Sequence, residues 1–357
     1  MIAKYGILKR DIERKREGAG MRNKVTIDAI AERLGLSQAT VSRALNDKYG
    51  VSDATRKQVL LCAYELRYDF SALRRTVSRS EPADCVCVIL KQSDLLDRSF
   101  YGDVLYGIEN YLKSKSFSLY LCFVTDDQQA RVLLDDKRFR PDGYIVMGRI
   151  PLQAIVDIYA KGTPIVLLDP FYADHTVCRV GLNNVKGGDA AAQCLIRAGH
   201  TRVAFVGNPA YSCNPEDRYE GFRRCVEQYP GVRLLPSPAM DESLLYDDQV
   251  IRAQLTAPDR PTGVFCANDR VAFRVYEIAR ELGLRIPDDL SVVGFDDVEK
   301  CDWVTPRLTS VHVPRNDFGR IAAQLILENI ADPATPQRSV VLETGFTERD
   351  SVAGPPS

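Results

Sequence analysis

The sequence lacks any apolar run long enough to cross a membrane, and its first residues lack the hydrophobic core of a signal peptide. Its ten cysteines form no C-x-x-C pair, and its three histidines (His175, His200 and His312) are too far apart for a zinc motif. We therefore expect a soluble cytoplasmic protein with reduced cysteines, no bound metal and no membrane partner.

Signatures of the common enzyme folds are missing as well. No G-x-G-x-x-G follows the first predicted strand, and the chain has neither a phosphate-binding lysine loop nor a nucleophile elbow. We expect no catalytic residues and no cofactor. The chain has 357 residues, 45% of them hydrophobic, which is enough for more than one domain and a large core.

The net charge of −1 conceals a difference between the two ends of the chain. Residues 1–80 carry 17 Lys and Arg against 9 Asp and Glu, whereas the remainder carries 30 against 39. A basic N-terminal segment followed by an acidic body is typical of a nucleic-acid-binding region joined to a domain that does not bind nucleic acid.

Residues 25–46 have the pattern of two short helices joined by a tight turn. Thr26 and Ser37 can cap the helices, apolar residues recur at helical spacing after each cap, and Gly35 can end the first helix with a positive φ. This pattern predicts a helix-turn-helix, although a solvated helical hairpin also fits the spacing. Outward positions of the second helix carry short polar groups and one arginine, which suit contacts to bases and phosphates. They are Gln38, Ala39, Thr40, Ser42, Arg43 and Asn46.

The same stretch resembles the DNA-binding headpiece of the lac repressor/galactose repressor family. From Thr26 to Asn46 it matches the family motif T-x-x-x-[IV]-A-x-x-[AL]-G-[VL]-S-x-x-T-V-S-R-x-L-N. The family's V-S-x-x-T-R-x-x-V…Y pattern follows from Val51 to Tyr68, on a third predicted helix that closes a three-helix core. The resemblance implies a bacterial transcriptional regulator that binds double-stranded operator DNA. It assigns DNA contacts to Thr26, Ser37, Gln38, Ala39, Thr40, Ser42, Arg43, Asn46 and Tyr68.

The linker after the headpiece matches the family less well. In the family this hinge becomes helical on DNA and inserts a leucine into the minor groove. Here Arg74 replaces a small residue, Val77 stands where the leucine is expected, and Leu73 is the alternative wedge. The basic residues of the linker either contact phosphates or are simply solvated.

From residue 84 onward, short β-rich runs alternate with amphipathic helices. The predicted elements are strands at 86–90, 118–123, 143–147 and 164–169 with helices near 101–115, 127–138 and 152–161, then strands at 203–207, 263–267 and 290–296 with helices at 217–229 and 269–282. The alternation predicts an α/β body of two doubly wound parallel sheets with a ligand cleft beyond the carboxyl ends of the strands. Segments such as A-G-H-T-R-V-A-F-V-G at 198–207 and P-D-D-L-S-V-V-G-F-D-D at 287–297 resemble the family's effector domain, which is of periplasmic-binding-protein type.

These patterns divide the chain into four parts. Residues 1–24 are an N-terminal extension that is either a flexible basic segment or a stretch before the true start at Met21, where the family usually begins. Residues 25–67 are the helix-turn-helix domain, 68–82 the hinge, and 83–357 the two-lobed domain for effector binding and dimerisation.

The resemblance places effector contacts at six positions near strand ends. They are Phe100, Tyr101, Asp169, Arg218, Asn268 and Asp296. Carboxylates and a guanidinium can hydrogen-bond ligand hydroxyls, and an aromatic pair can stack on a sugar ring or a base. Each also has an ordinary structural role: an apolar helix start for the aromatic residues, and solvation or helix capping for the others. The set favours a neutral sugar, and a purine-like ligand stays open.

We predict a ligand-responsive repressor that binds a pseudo-palindromic operator as a homodimer, since one short helix reads only a few base pairs. A transport-type solute-binding protein and an enzyme of doubly wound fold are the alternatives. We also hypothesise that Arg218 and Asp296 hold the effector from opposite walls of the cleft. Trp303 reaches either that cleft or the partner subunit.

Overall fold

The structure is a computed structural model that describes residues 25–46, 48–68, 84–92, 98–125, 140–170, 177–236, 240–241 and 243–356. The chain divides into two compact units, Met1–Ser78 with Tyr159–Gly162, and Arg79–Ile158 with Thr163–Ser357. Several predictions lie outside the described residues, so they stay predictions. These are the extension at 1–24, the hinge residues Leu73, Arg74 and Val77, and the helix near 127–138.

The described residues 25–46 and 48–68 of the N-terminal unit form three helices: α1 (Ile27–Leu34), α2 (Gln38–Leu45) and α3 (Asp53–Glu65). The hydroxyls of Thr26, Ser37 and Ser52 each accept a hydrogen bond from the N–H three residues further on, so each satisfies a free donor of its helix. Gly35 ends α1 with φ +65°, as the sequence predicts.

The headpiece core is small and closed by all three helices. Ile30, Val41 and Val59 have no exposed surface, and Ala44 and Ala63 leave room for the helices to approach closely. The predicted helix-turn-helix fold is therefore confirmed, and the polar faces of the helices remain outside this core.

In the second unit, the described residues form two six-stranded sheets. The strands are β1 (Cys85–Lys91), β2 (Ser118–Val124), β3 (Gly143–Met147), β4 (Ile165–Leu168), β5 (Cys178–Leu182), β6 (Arg202–Val206), β7 (Arg233–Leu235), β8 (Gly263–Cys266), β9 (Ser291–Asp296), β10 (Thr309–His312), β11 (Ser339–Leu342) and β12 (Gly345–Thr347). The first sheet has the order β11-β5-β4-β3-β1-β2, and the second has the order β12-β10-β9-β8-β6-β7. Among the described strand pairs, only β10 and β12 are antiparallel, so the predicted doubly wound parallel architecture is confirmed.

Helices cover both sheets. They are α4 (Arg98–Ser114), α5 (Leu152–Ala160), α6 (Asn184–Arg197), α7 (Cys213–Val226), α8 (Asp248–Thr256), α9 (Asp269–Glu281) and α10 (Arg315–Ala331), with 3-10 turns at Pro209–Tyr211 and Glu299–Asp302. The predicted helix at 217–229 in fact begins at Cys213, because Pro215 is tolerated in a first turn where its missing N–H is not needed. Among the described residues, none of the helices is both long and apolar enough to span a bilayer.

Between the described elements, the chain crosses from one lobe to the other three times, at residue 183, at 313–314 and at 343–344. After the first crossing, α6 packs on α7 and the second sheet. After the second crossing, α10 packs on α4 and the first sheet. From the sequence we predicted two successive lobes and a return of the chain to the first lobe close to Asp296, and we did not predict the last crossing, at 343–344, into the second lobe.

Two helix pairs approach so closely that only glycine fits at the contacts. A Cβ on Gly221 of α7 would lie 1.9 Å from the carbonyl oxygen of Val185, and one on Gly188 of α6 would lie 2.0 Å from the carbonyl oxygen of Arg218. In the first lobe, a Cβ on Gly319 would lie 2.0 Å from the carbonyl oxygen of Val104. Backbone lies against backbone in each lobe.

Gly221→Ala is therefore expected to destabilise the second unit by about 3 kcal/mol, the upper range for overpacking a buried contact. The Cβ would meet rigid backbone, which cannot move aside as a flexible side chain can. Urea unfolding followed by circular dichroism measures the change. Gly231→Ala is the control, because a Cβ there meets nothing within 4 Å. Equal stability of the two variants would contradict the prediction.

Candidate nucleic-acid interface and effector site

Helix α2 separates a buried side from an exposed one. Val41, Ala44 and Leu45 are buried in the headpiece, whereas Gln38 and Arg43 are exposed. Ala39 and Asn46 are also exposed, and Thr40 and Ser42 are half-buried. The predicted base-reading positions thus lie on the side of α2 that faces away from its core.

Several predicted DNA-contacting residues also shape the helix ends. The Ser37 hydroxyl pairs with the Thr40 hydroxyl at 2.8 Å, and the Asn46 side chain donates to the carbonyl of Ser42 at 2.8 Å. Tyr68 is half-buried and its N–H donates to the carbonyl of Ala63 at 2.8 Å. These hydrogen bonds stabilise the ends of the helices. Contacts of the same residues with DNA stay predictions.

Arg218 is the centre of the second candidate site. It lies one turn inside α7, it is 6% exposed, and its guanidinium stacks on the ring of Phe295 at 3.6 Å. Its Nε donates to Oδ1 of Asn184 at 2.9 Å, and its Nη1 donates to the carbonyl of Ala267 at 2.6 Å. These contacts fix the guanidinium rigidly beside the carboxyl ends of β8 and β9.

Asp296, the last residue of β9, meets Arg218 directly. Their Nη2 and Oδ1 atoms are 3.8 Å apart, and both side chains are nearly buried. Both residues belong to the second lobe, so the hypothesis that they face each other across the cleft is wrong. They form one wall, because α7 packs beside the sheet whose central strand ends at Asp296.

A chain of hydrogen bonds connects this wall to the first lobe. Asn184 donates to Oδ1 of Asn214 at 3.0 Å, and Asn214 donates to Oδ1 of Asp169 at 2.9 Å. Asp169 follows β4 of the first sheet, whereas Asn184 and Asn214 lie on α6 and α7. Carboxylate, amides and guanidinium thus form a continuous polar path between the lobes.

A second contact between the lobes lies beside this path. The Cys213 thiol donates to the carbonyl of Pro170 at 3.0 Å, and burial raises the pKa of Cys213 to about 12. The group is therefore a neutral thiol donor and not a reactive thiolate. Arg149, after β3, stacks on Tyr211 of the second lobe at 5.4 Å.

The remaining predicted effector residues have clear structural roles. Phe100 is 5% exposed in the first-lobe core and packs edge-to-face on Tyr101, which is half-buried. Oδ1 of Asn268 accepts the N–H of Val271 at 3.0 Å and so caps α9. For Phe100 and Asn268 the structure favours these roles, and their effector contacts stay predictions.

Two further carboxylates hold the strand ends in place. Burial raises the pKa of Asp269 to about 7, even though Ser310, Val298 and Cys301 donate hydrogen bonds to it. Burial also opposes ionisation of Asp297, but hydrogen bonds from Arg349, His312 and Thr347 hold its pKa below the usual value. In the part of the chain that the structure describes, no group of three or more His, Cys, Asp or Glu is placed to hold a metal ion.

Sequence reasoning missed Asn184 and Asn214. Asn214 precedes Arg218 by four residues, which is one helical turn, so a correct start for α7 would have placed both on one face. Asn184 begins α6 immediately after β5, and neither element was predicted. Trp303 is 69% exposed, just after the second 3-10 turn.

Comparison with protein families matches both units. Residues 26–69 match the model "Bacterial regulatory proteins, lacI family", and residues 192–352 match the model "Periplasmic binding protein-like domain". The chain is 28% identical over 334 residues to the ribose operon repressor of Haemophilus influenzae, and 29% identical over 335 residues to the transcriptional repressor PurR of Vibrio vulnificus. Each alignment covers 92% of this chain and 98% of the relative.

Solved structures of regulators of the same type are also similar to this chain. A complex of the transcriptional regulator CelR with cellobiose is 26% identical with a TM-score of 0.67, over 92% of this chain and 100% of that one. A lacI-family regulator from Enterococcus faecalis with bound ribose is 29% identical with a TM-score of 0.64, over 75% and 98%. The lac repressor dimer bound to operator shares the fold at 21% identity, with a TM-score of 0.63 over 93% and 100%.

Proposed function

Because the chain belongs to the LacI family of bacterial regulatory proteins, we propose that it is a cytoplasmic repressor whose operator affinity is controlled by a neutral sugar. One observation carries the proposal: a helix-turn-helix with an exposed polar face is joined, in one chain, to two lobes bridged by a polar path from Asp169 to Asp296. A catalytic reading has no comparable support.

The chemistry of the polar path supports a polyhydroxylated effector. A hydroxyl both donates and accepts hydrogen bonds. A sugar hydroxyl can therefore donate to the carboxylate of Asp169 or Asp296, and it can accept a hydrogen bond from Asn214 or Arg218. Several hydroxyls of one sugar could in this way replace the hydrogen bonds between these residues. A purine base would need an aromatic face to stack on, and of the predicted aromatic pair Phe100 is buried in the core while Tyr101 is half-buried.

Coupling to DNA follows from linkage. A sugar that enters between the lobes exchanges the hydrogen bond between Asn214 and Asp169 for bonds of its own, and thereby changes how the lobes are held together. In a dimer, that change alters the spacing of the two headpieces, and only a differential affinity for the two states can do this. A second copy is a suitable cover for the edge strand β2, which exposes Leu121 and Phe123 by 41% and 40%.

The test uses the full-length protein and an operator selected from random duplexes. We expect D-ribose, cellobiose or a related neutral sugar to raise the melting temperature and to change operator affinity, while a purine base does neither. Sedimentation should give two chains per duplex. Stabilisation by the purine base alone would overturn the sugar proposal, and failure to select any DNA would overturn the repressor proposal.

A further inference from the structure

Arg315 occupies a special position between the lobes. It is the first residue of α10, immediately after the crossing at 313–314 from β10 of the second lobe. The rest of α10 belongs to the first lobe, since Ile326 fills the space beside Gly143 of β3, and Gly319 lies against the backbone of Val104. Arg315 is therefore the first residue of a helix whose body packs in the first lobe.

The guanidinium of Arg315 nevertheless contacts the second lobe at Asp296, the residue that forms one wall of the candidate effector site together with Arg218. Its Nη1 donates to the carbonyls of Asp296 and Asp297, the latter at 2.8 Å. Its Nε donates to Oδ2 of Asp103 on α4 at 2.9 Å. The Arg315 side chain is only 12% exposed, so these bonds are partly shielded from water.

The backbone that Arg315 holds is unusual. Asp296 has a φ of +111° and Asp297 has a φ of +53°, so two consecutive residues with side chains lie in the left-handed region. Such conformations persist only where the surroundings hold them, and they are concentrated at functional sites. The carboxylate of Asp297 is held by Arg349 and His312. Both carbonyls of the turn are held by Arg315.

From this geometry we infer that Arg315 is a positioning residue. It begins a helix of the first lobe, holds the backbone of the second-lobe turn at Asp296, and thereby orients the Asp296 carboxylate toward the effector site. The inference rests on the proposed function, in which Asp296 binds effector. Its consequence is that the shape of the site and the arrangement of the lobes depend on each other: when the lobes shift, Arg315 pulls on the turn that carries Asp296. A planar guanidinium can serve two carbonyls and a carboxylate together, whereas a lysine ammonium is a compact charge without this fork.

Hydrogen exchange measured by mass spectrometry on the full chain without effector tests the inference. In Arg315→Ala we expect amides of the peptide around 294–299 to exchange at least tenfold faster, with the second-lobe sheet otherwise unchanged. Arg315→Lys should be intermediate. Arg320→Ala is the matched control, since Arg320 lies on the same helix and its ion pair joins it to Asp317, an exposed residue of that helix. Exchange near 294–299 within twofold of the original protein would overturn the inference. An even increase across the whole second unit would also overturn it, because that result indicates general destabilisation.

Effector binding provides a second test of the role of Arg315. With D-ribose or cellobiose as the probe, whichever stabilises the original protein, Arg315→Ala should bind at least tenfold more weakly while Arg320→Ala binds normally. Unchanged binding in Arg315→Ala would contradict the positioning role. If neither sugar binds the original protein, the proposed effector class fails, and the exchange measurement still decides the role of Arg315.

Discussion

Arg218→Ala is expected to lower the free energy of unfolding by about 3–5 kcal/mol, the cost of removing one partner from a buried ion pair. The carboxylate of Asp296 would keep its buried position without the guanidinium 3.8 Å away. Asn184 and the carbonyl of Ala267 would each lose a hydrogen-bond donor in a site where little water can replace it. Urea unfolding of the second unit measures the loss.

The control for this experiment is Arg224→Ala on the same helix. Arg224 is 63% exposed and pairs with Glu220, so its removal should cost less than about 1 kcal/mol. If Arg218→Ala were as stable as this control, the Arg218 contacts would be energetically unimportant and the residue would be free to act on effector alone. The structure leads us to expect the contrary, and so Arg218→Ala is a poor variant for measuring effector contacts.

Asp169 and Asn214 are better positions than Arg218 for measuring contacts with the effector. Both are less deeply placed than Arg218, and their hydrogen bond joins the lobes without crossing a core. A change at either position removes a link that the effector is proposed to replace. This difference between a buried anchor and a link across the cleft could not be derived from residue types, because it depends on how deeply the folded chain places each side chain.

The headpiece was the part of the fold most readily predicted from sequence. Thr26, Gly35 and Ser37 act locally, through caps and a positive φ within three residues, so their sequence positions determine their roles. The strands at 143–147 and 263–267 were equally clear, because strands buried on both faces are continuous apolar runs.

Two of the helices that were not predicted have a property in common. Helices α6 and α10 carry Gly188 and Gly319 in their interiors, and interior glycines lower helix propensity. Their value appears only when the partner helix is in place, since a Cβ would collide with its backbone. The short edge strand β11 likewise owes its existence to pairing with β5. The placement of Arg218 beside Asp296 depends on such long-range contacts, which explains why these two residues were predicted on opposite walls of the cleft.

The other large effect is expected at the DNA. Arg43→Ala should weaken binding to the preferred operator by about 1–3 kcal/mol per half-site, the scale of one bidentate contact between arginine and guanine. Arg43 lies on the exposed side of α2, whose buried side is fixed by Val41 and Ala44, so the side chain can enter a major groove without disturbing the core. Fluorescence anisotropy at fixed salt measures the affinity.

Lys57→Ala is the matched control, because Lys57 is also an exposed cation of the headpiece but lies on α3. Loss of a phosphate contact weakens binding equally for all sequences and lowers the salt dependence, whereas loss of a base contact relaxes specificity at one base pair. We therefore expect Arg43→Ala to lose discrimination at a single position in each half-site, and Lys57→Ala to keep it. If Arg43→Ala instead weakened every operator variant by the same factor, Arg43 would be a phosphate contact, and base reading would have to rest on Gln38 and its neighbours at the start of α2.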